Sequence, residues 1–362
     1  MILKKRILAL TVSAFLITGA SIIDFSSTPK PHQLQAHANV VKDTYESRLF
    51  SLSPYKQGHF GLRMYRQTQD TKYKTTILVD LANVTDRLNH IAANVNTPDA
   101  IHQHSLERLN EYKKGKDERS VRRYKATKDQ PEYFYMGLDV LRYLARLQEY
   151  GVTHKDDKKL RKLLRSYDFE SVLTDKEMIT AWAAQLANQA YWLKQIGEQD
   201  LVDEFITAFK KTYPSSEDYR LSKQQFGNKL YGMTHIILAD SGYYQRQVSE
   251  QEHQWIYDYF RRNIDDIIKH TKEDIIAEVG ISFLLAGLED DPVVAKTRAA
   301  ITKSIDKRHG MIPSVSGDFD FAYGEHRNVL AIMLLDWQPP YEGPNVKTDP
   351  KLFKQLPYGV SI

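Results

Sequence analysis

An all-α fold, a closed ring of helical hairpins, is what this sequence predicts, and three observations predict it. Strand signals are sparse after residue 45, where apolar residues recur with helical spacing. The helical segments come in two alternating kinds, one apolar almost all round and one with a single apolar stripe. The two kinds repeat together: Gly137, Ala184, Gly232, Gly280 and Asn328 are matching points separated by 47, 48, 48 and 48 residues. A period of this size belongs to stacked helical hairpins. Six inner and five outer segments, with no evident capping repeat, favour closure over an open solenoid.

The chain begins with a basic MILKKR and an apolar run from Ile7 to Ile23, followed by the polar, Pro-containing DFSSTPKPHQLQAHA. That is the layout of a secretory signal peptide, so residues 1–38 read as leader, with cleavage after Ala20 or after Ala38. An uncleaved anchor is the alternative, and the absence of Cys excludes a lipoprotein anchor, a disulfide framework and thiolate chemistry. The hairpin domain is expected over 45–337. Its inner segments lie near 55–67, 131–150, 176–197, 226–241, 273–288 and 325–337. Runs such as LYGMTHIILA (Leu230 to Ala239) and IIAEVGISFLLAGL (Ile275 to Leu288) are apolar on every side. The outer segments lie near 74–95, 156–167, 200–213, 249–270 and 292–307. Their stripes include Ile77, Leu81, Val84, Leu88, Ile91 and Val95, and later Trp255, Ile256, Tyr259, Phe260, Ile264 and Ile267.

One insertion, 99–128, breaks the period. Its Lys113–Lys128 stretch carries eight Lys or Arg against Asp117 and Glu118, and reads as a solvated loop or as a basic lid over the ring's opening. In the lid reading Arg122, Arg123 and Tyr124 pair with an anion and stack on a sugar. The tail from Gln338 to Ile362 holds five of the 13 Pro and reads as an extended strap.

In helix order and spacing, residues 48–337 resemble the α/α-toroid (six-hairpin) superfamily, which includes glycoside hydrolases, polysaccharide lyases, terpene cyclases and lanthionine cyclases. The whole chain also resembles an exported bacterial domain family of unknown function. The toroid resemblance implies a central cleft where the inner helices splay.

Composition limits what that cleft serves. The formal charge of +4 falls to +1 without Lys4, Lys5 and Arg6, which gives no nucleic-acid signature. The 22 Tyr suit wet clefts as well as cores. Ionisable residues on apolar helices are costly to bury and so are the candidates for function. Glu278 and His326 share one register position, two residues before their matching points, and His235 lies about one turn deeper. As an acid–base pair, a desolvated Glu278 with a raised pKa exchanges protons with His326. Arg327, Glu325 and His235 then orient substrate, and Tyr135, Trp182 and Tyr323 line the cleft. Two other readings stand beside it. Glu278 ties to Arg327 and His326 to a backbone carbonyl, or His235, Glu278 and His326 hold zinc. Otherwise no cofactor is expected. Asp318 and Asp320 are possible second carboxylates or turn formers, and His59 is a further interior candidate.

The function expected is an exported protein, periplasmic or secreted, that binds or processes a carbohydrate, an acidic polysaccharide being one such ligand and a lyase or hydrolase the type if it is an enzyme. A non-catalytic binding or scaffolding protein and a zinc-dependent hydrolase are the alternatives. The ligand is a small molecule or oligosaccharide, with no nucleic acid and no stable membrane association after signal cleavage.

Overall fold

The computed structural model describes residues 30–362, so the apolar run and the Ala20 site lie outside the described residues. The first helix, α1 (Pro31–Glu46), starts on a Pro whose fixed φ suits a first helical turn. Its buried face is Leu34, Ala38, Val41 and Tyr45, one residue per turn. The end of the expected leader, residues 31–38, is therefore helix. Cleavage after Ala38 would cut α1 in its middle and detach Leu34 and Ala38 from the core.

Helix α2 (Pro54–Thr68) is followed by α3 (Lys74–Asn94). The two lie so close that a Cβ on Gly61 would sit 1.7 Å from Thr76 Oγ1. The basic insertion is not a loop but two helices, α4 (Pro98–Lys114) and α5 (Glu118–Thr127). Each has the cap that its sequence offers: Thr97 Oγ1 accepts from Ala100 N, and Asp117 Oδ1 from Ser120 N.

The next inner segment is composite: α6 (Tyr133–Tyr135), a π turn at Met136–Val140, and α7 (Leu141–Tyr150). After α8 (Asp157–Arg165) and α9 (Phe169–Thr174) comes α10 (Lys176–Gln195), broken at Trp182, where φ is −134° and ψ 23°. Then follow α11 (Val202–Thr212), α12 (Lys223–Asp240), α13 (Gln254–His270), α14 (Glu273–Leu285), α15 (Pro292–Ser304) and α16 (Phe321–Leu335). Among the described residues the only sheet is a pair of two-residue strands, β1 (Thr153–His154) and β2 (Val360–Ser361). No helix among them is long and apolar enough to cross a membrane.

The buried segments pack in succession, α7 on α10, α10 on α12, α12 on α14 and α14 on α16, and α16 also packs on α2. Helix α3 stands between α2 and α7. The one-sided helices cover these: α1 packs on α16, α11 on α10, and α15 on α14. In α13 the striped residues Ile256, Tyr259, Phe260 and Ile267 are all nearly inaccessible. Each such side chain contributes roughly 1.5–3 kcal/mol on burial, which is why a one-sided stripe suffices to hold an outer helix.

The tail crosses α2, α7 and α3. Gln338 N donates to Gln67 Oε1 at 3.1 Å, Arg66 Nε donates to Gly343 O at 2.8 Å, and Val346 N donates to Tyr150 O at 3.0 Å. Antiparallel pairing of Thr153 with Ser361 ends it.

Candidate functional site

Helix α16 begins at Phe321, with Asp320 Oδ1 accepting from Tyr323 N, so Glu325 and His326 lie in its second turn and not at its mouth. From there a chain of polar contacts crosses three inner helices. Glu325 Oε1 faces His59 Nδ1 at 2.7 Å, His59 Nε2 faces His326 Nδ1 at 3.4 Å, and His326 Nε2 faces Glu278 Oε1 at 3.5 Å. The same Glu278 oxygen lies 3.7 Å from His235 Nε2, while Glu278 Oε2 accepts from Thr234 Oγ1 at 2.7 Å.

Protons can be assigned along this chain by requiring every contact to pair a donor with an acceptor. His59 Nδ1–H donates to Glu325, which leaves His59 Nε2 as an acceptor. His326 then donates from Nδ1 to His59 and from Nε2 to Glu278, and so carries both protons. The charge balance agrees. Burial and Arg63 push His59 down to about 4. Burial would also lower His326, but Glu278 outweighs it and raises His326 above its ordinary value. Burial acting alone would raise Glu278; His235 and His326 instead hold it well below the usual carboxylate range. The raised pKa expected for Glu278 is thus reversed, because two imidazoles flank a carboxylate that is 1% exposed. It is an anion and not a proton donor.

His235 and His326 border a cavity of about 520 Å³. Seven arginines line it: Arg63, Arg66, Arg108, Arg119, Arg123, Arg142 and Arg146. Helical spacing puts them there, because 59, 63 and 66 share one face of α2, and 142, 146 and 149 share one face of α7. The lining carboxylates are Asp80, Glu149 and Asp274. Glu149 takes Arg66 at 3.0 Å and Arg146 at 2.6 Å; Asp80 accepts from Tyr150 Oη at 2.5 Å, and Asp274 from Tyr231 Oη at 2.5 Å. Arg108 and Arg142 share Asp139, which sits in the π turn. No ion pair to a carboxylate reaches Arg63, Arg119 or Arg123 among the described residues. Arg63 is 8% exposed and its Nε has no partner. Arg123 stacks on Trp182 at 3.9 Å and donates from Nε to Ala181 O. The cavity is strongly cationic and aromatic.

Its other border is a strained turn after α12. Gly242, Tyr243 and Tyr244 all take left-handed backbone, with φ of 61°, 56° and 74°. Such a conformation costs a non-glycine residue about 1–3 kcal/mol and persists only where surrounding contacts impose it. Here Tyr243 N donates to Leu238 O at 2.8 Å, and Arg66 Nη1 donates to Tyr243 O at 3.0 Å. The turn brings Tyr243 Oη to 3.3 Å from His235 Nδ1, which also lies 3.0 Å from the Asn188 side-chain oxygen. Burial drives the Tyr243 phenol well above its ordinary value, so it holds its proton. Glu278, His235 and Tyr243 form a carboxylate–imidazole–phenol series ending in the cavity, with the Asn188 amide beside it.

Of the sequence candidates, the structure brings together Glu278, His326 and His235, and puts Trp182 in the cavity wall. Glu325 is adjacent but turned to His59. Arg327 does not pair with Glu278; its Nε donates to Ile312 O at 3.0 Å. Tyr135 is buried and donates to Val95 O, and Tyr323 is 82% exposed and does not line the cavity. Asp318 and Asp320 shape the turn before α16. In the insertion, Arg119 and Arg123 enter the cavity one turn apart, whereas Arg122 turns to Glu118 at 2.9 Å. As for zinc, the described cluster that draws three ligating atoms together is Asp240, Glu252 and His253, not His235, Glu278 and His326. Arg63, Arg142, Asn188 and Tyr243 were not candidates in the sequence. For the two arginines the signal was present in charges spaced by three and four along α2 and α7.

A family model described as Domain of unknown function (DUF3541) matches residues 34–362, and the chain belongs to that family. No curated protein and no solved structure matches it.

Proposed function

We propose that this member of the DUF3541 family is an exported α/α toroid that binds an acidic oligosaccharide in its arginine-lined cavity and cleaves it by β-elimination. Export rests on the basic and apolar start of the chain. The toroid reading is supported by the succession of helix contacts that leads from α2 round to α16 and back to α2. The observation that carries the function is the cavity's composition: arginines without carboxylate partners beside the Glu278–His235–Tyr243 series.

Elimination from a uronate needs three things. The sugar carboxylate must be neutralised so that its α-carbon proton becomes acidic, a base must take that proton, and an acid must protonate the leaving oxygen. Arg63, buried, without a carboxylate partner and with its Nε free, meets the carboxylate together with the Asn188 amide. His235, its Nε2–H directed at Glu278, takes the α-proton on Nδ1 once the sugar carboxylate has drawn away the Asn188 amide, whose oxygen faces Nδ1 at 3.0 Å. The C–H electron pair becomes the new carbon–carbon double bond, and the glycosidic oxygen departs with the proton of Tyr243. Hydrolysis by a carboxylate pair is the weaker reading, because Asp80, Glu149 and Asp274 are each committed to a Tyr or Arg.

The test is calorimetric titration with uronate-containing oligosaccharides, with ultraviolet absorbance of the unsaturated product as the activity readout. Tyr243→Phe should keep binding within about twofold and reduce turnover by roughly 10²–10⁴-fold. Binding without product in the wild type would make this a binding protein. No binding of any acidic glycan would overturn the proposal.

A further inference from the structure

A second cavity, of about 450 Å³, lies on the other side of α5. It is lined by Lys223, Gln224, His270 and Lys272, by the N-terminal residues of α5, and by Arg119 and Tyr231, which also line the first cavity. The two cavities therefore meet at one residue pair, with the Arg119 guanidinium over the Tyr231 ring at 5.7 Å.

In this second cavity three cations, Arg119, Lys223 and Lys272, face two carboxylates, Asp117 and Glu118. Asp117 Oδ1 and Oδ2 are taken by the backbone and hydroxyl of Ser120 as the cap of α5. Glu118 is taken by Arg122 at 2.9 Å and by Ser222 Oγ at 2.6 Å. Among the described residues no ion pair joins Lys223, His270 or Lys272 to a carboxylate. Lys223 opens α12 and Lys272 precedes α14, so each side chain stands at a helix start. The Gln224 side-chain nitrogen, also at this cavity, is buried without an acceptor.

Helix α5 is tied on both sides of the junction. Arg123 donates to Ala181 O and Gln185 Oε1 of α10, and Glu118 reaches the cap of α12. The insertion thus stands between two cavities that share Arg119 and Tyr231.

We infer that the cavity lined by Lys223, His270 and Lys272 is a second subsite, taking an anionic sugar of the same polymer whose neighbouring residues occupy the arginine-lined cavity. It rests on the function proposed above and extends it. A polymer carrying a carboxylate or sulfate on successive sugars has the charge spacing to engage both, which a short fragment lacks.

The experiment compares the affinities of a short and a long uronate oligosaccharide for the full chain, wild type and Lys223→Ala/Lys272→Ala. Both positions are surface ends of helices, and a melting curve checks that the fold is kept. In the wild type the long ligand should bind at least about tenfold more tightly than the short one. The double substitution should remove that advantage and leave the short ligand unchanged. Equal affinities for the two lengths, or a length advantage that survives the substitution, would overturn the second subsite while leaving the first cavity's function intact. If neither length binds the wild type, the function proposed for the first cavity fails, and the second subsite fails with it.

Discussion

Replacing Glu278 by Gln removes one charge from a buried position and keeps the shape. The side chain still reaches Thr234, so the neutral hydrogen bond survives and the loss is electrostatic. Removing one partner of a fully buried ion pair costs about 3–5 kcal/mol, whereas exposed pairs contribute about 0–1 kcal/mol. Glu278 belongs to the first class, but the His326 side chain is 39% exposed, which places the cost near 2 kcal/mol when His326 is charged. The pH dependence follows from the two directions of shift. Glu278 is held below its ordinary 4.5, so its stabilisation is present above that value and is lost as pH falls through the lowered one. His326 is raised above 6.5, so its stabilisation is complete below 6.5 and is lost as pH rises through the raised value. Both contributions are at full strength between those two ordinary values. Denaturant unfolding of wild type and Glu278→Gln at about pH 5.5 and about pH 8.5 should give a difference near 2 kcal/mol at the lower pH and about 1 kcal/mol or less at the higher. Other carboxylates cancel in that difference. An equal cost at both values, or a greater one at high pH, would refute the assignment of the second His326 proton to the Glu278 contact.

Arg66→Met leaves Glu149 with one cation fewer and strands the Gly343 and Tyr243 carbonyls, so it should destabilise by roughly 3–5 kcal/mol in thermal or denaturant unfolding. Gly61→Ala should cost about 1–3 kcal/mol by forcing α2 away from Thr76, read the same way. Asp320→Ala removes the cap of α16 and should cost about 1 kcal/mol, with Asp320→Asn restoring most of it. Affinity for an acidic oligosaccharide should fall steadily with added salt in a calorimetric series, and a flat response would remove the arginines from its recognition.

Much of the helical order was legible because burial leaves a periodic trace. The apolar segment expected at 273–288 is α14 at Glu273–Leu285, and its equivalent at 176–197 is α10. The register that made Glu278 and His326 equivalent also made them neighbours, at 3.5 Å. Direction around a helix was less legible. Tyr135 and Trp182 share a register position, yet one faces the core and the other the cavity, since α6 runs into a π turn and α10 breaks at Trp182. Helix α1 was hidden because its four buried residues stand in a polar background that resembled a leader. The insertion was hidden because its charges masked the caps at Thr97 and Asp117. Tyr243 could not have been found by pattern, since its place depends on a left-handed turn held by an arginine 177 positions away.

That arginine also donates to Gly343, and α16, which carries His326, packs between α1 and α2. The groups that set the position of Tyr243 and the charge of Glu278 thus come from opposite ends of the chain. During synthesis, residues up to Leu285 can form Glu278, His235 and Tyr243 in sequence, but not in their final electrostatic state. Until α16 arrives, Glu278 lacks one of its two imidazoles, and until Gly343 arrives, Arg66 lacks its third anchor. Contacts of such long sequence separation form late and slowly. A nascent chain therefore carries the residues of the site well before it has the site, which is complete only once α16 and the segment up to Gly343 have been made and packed.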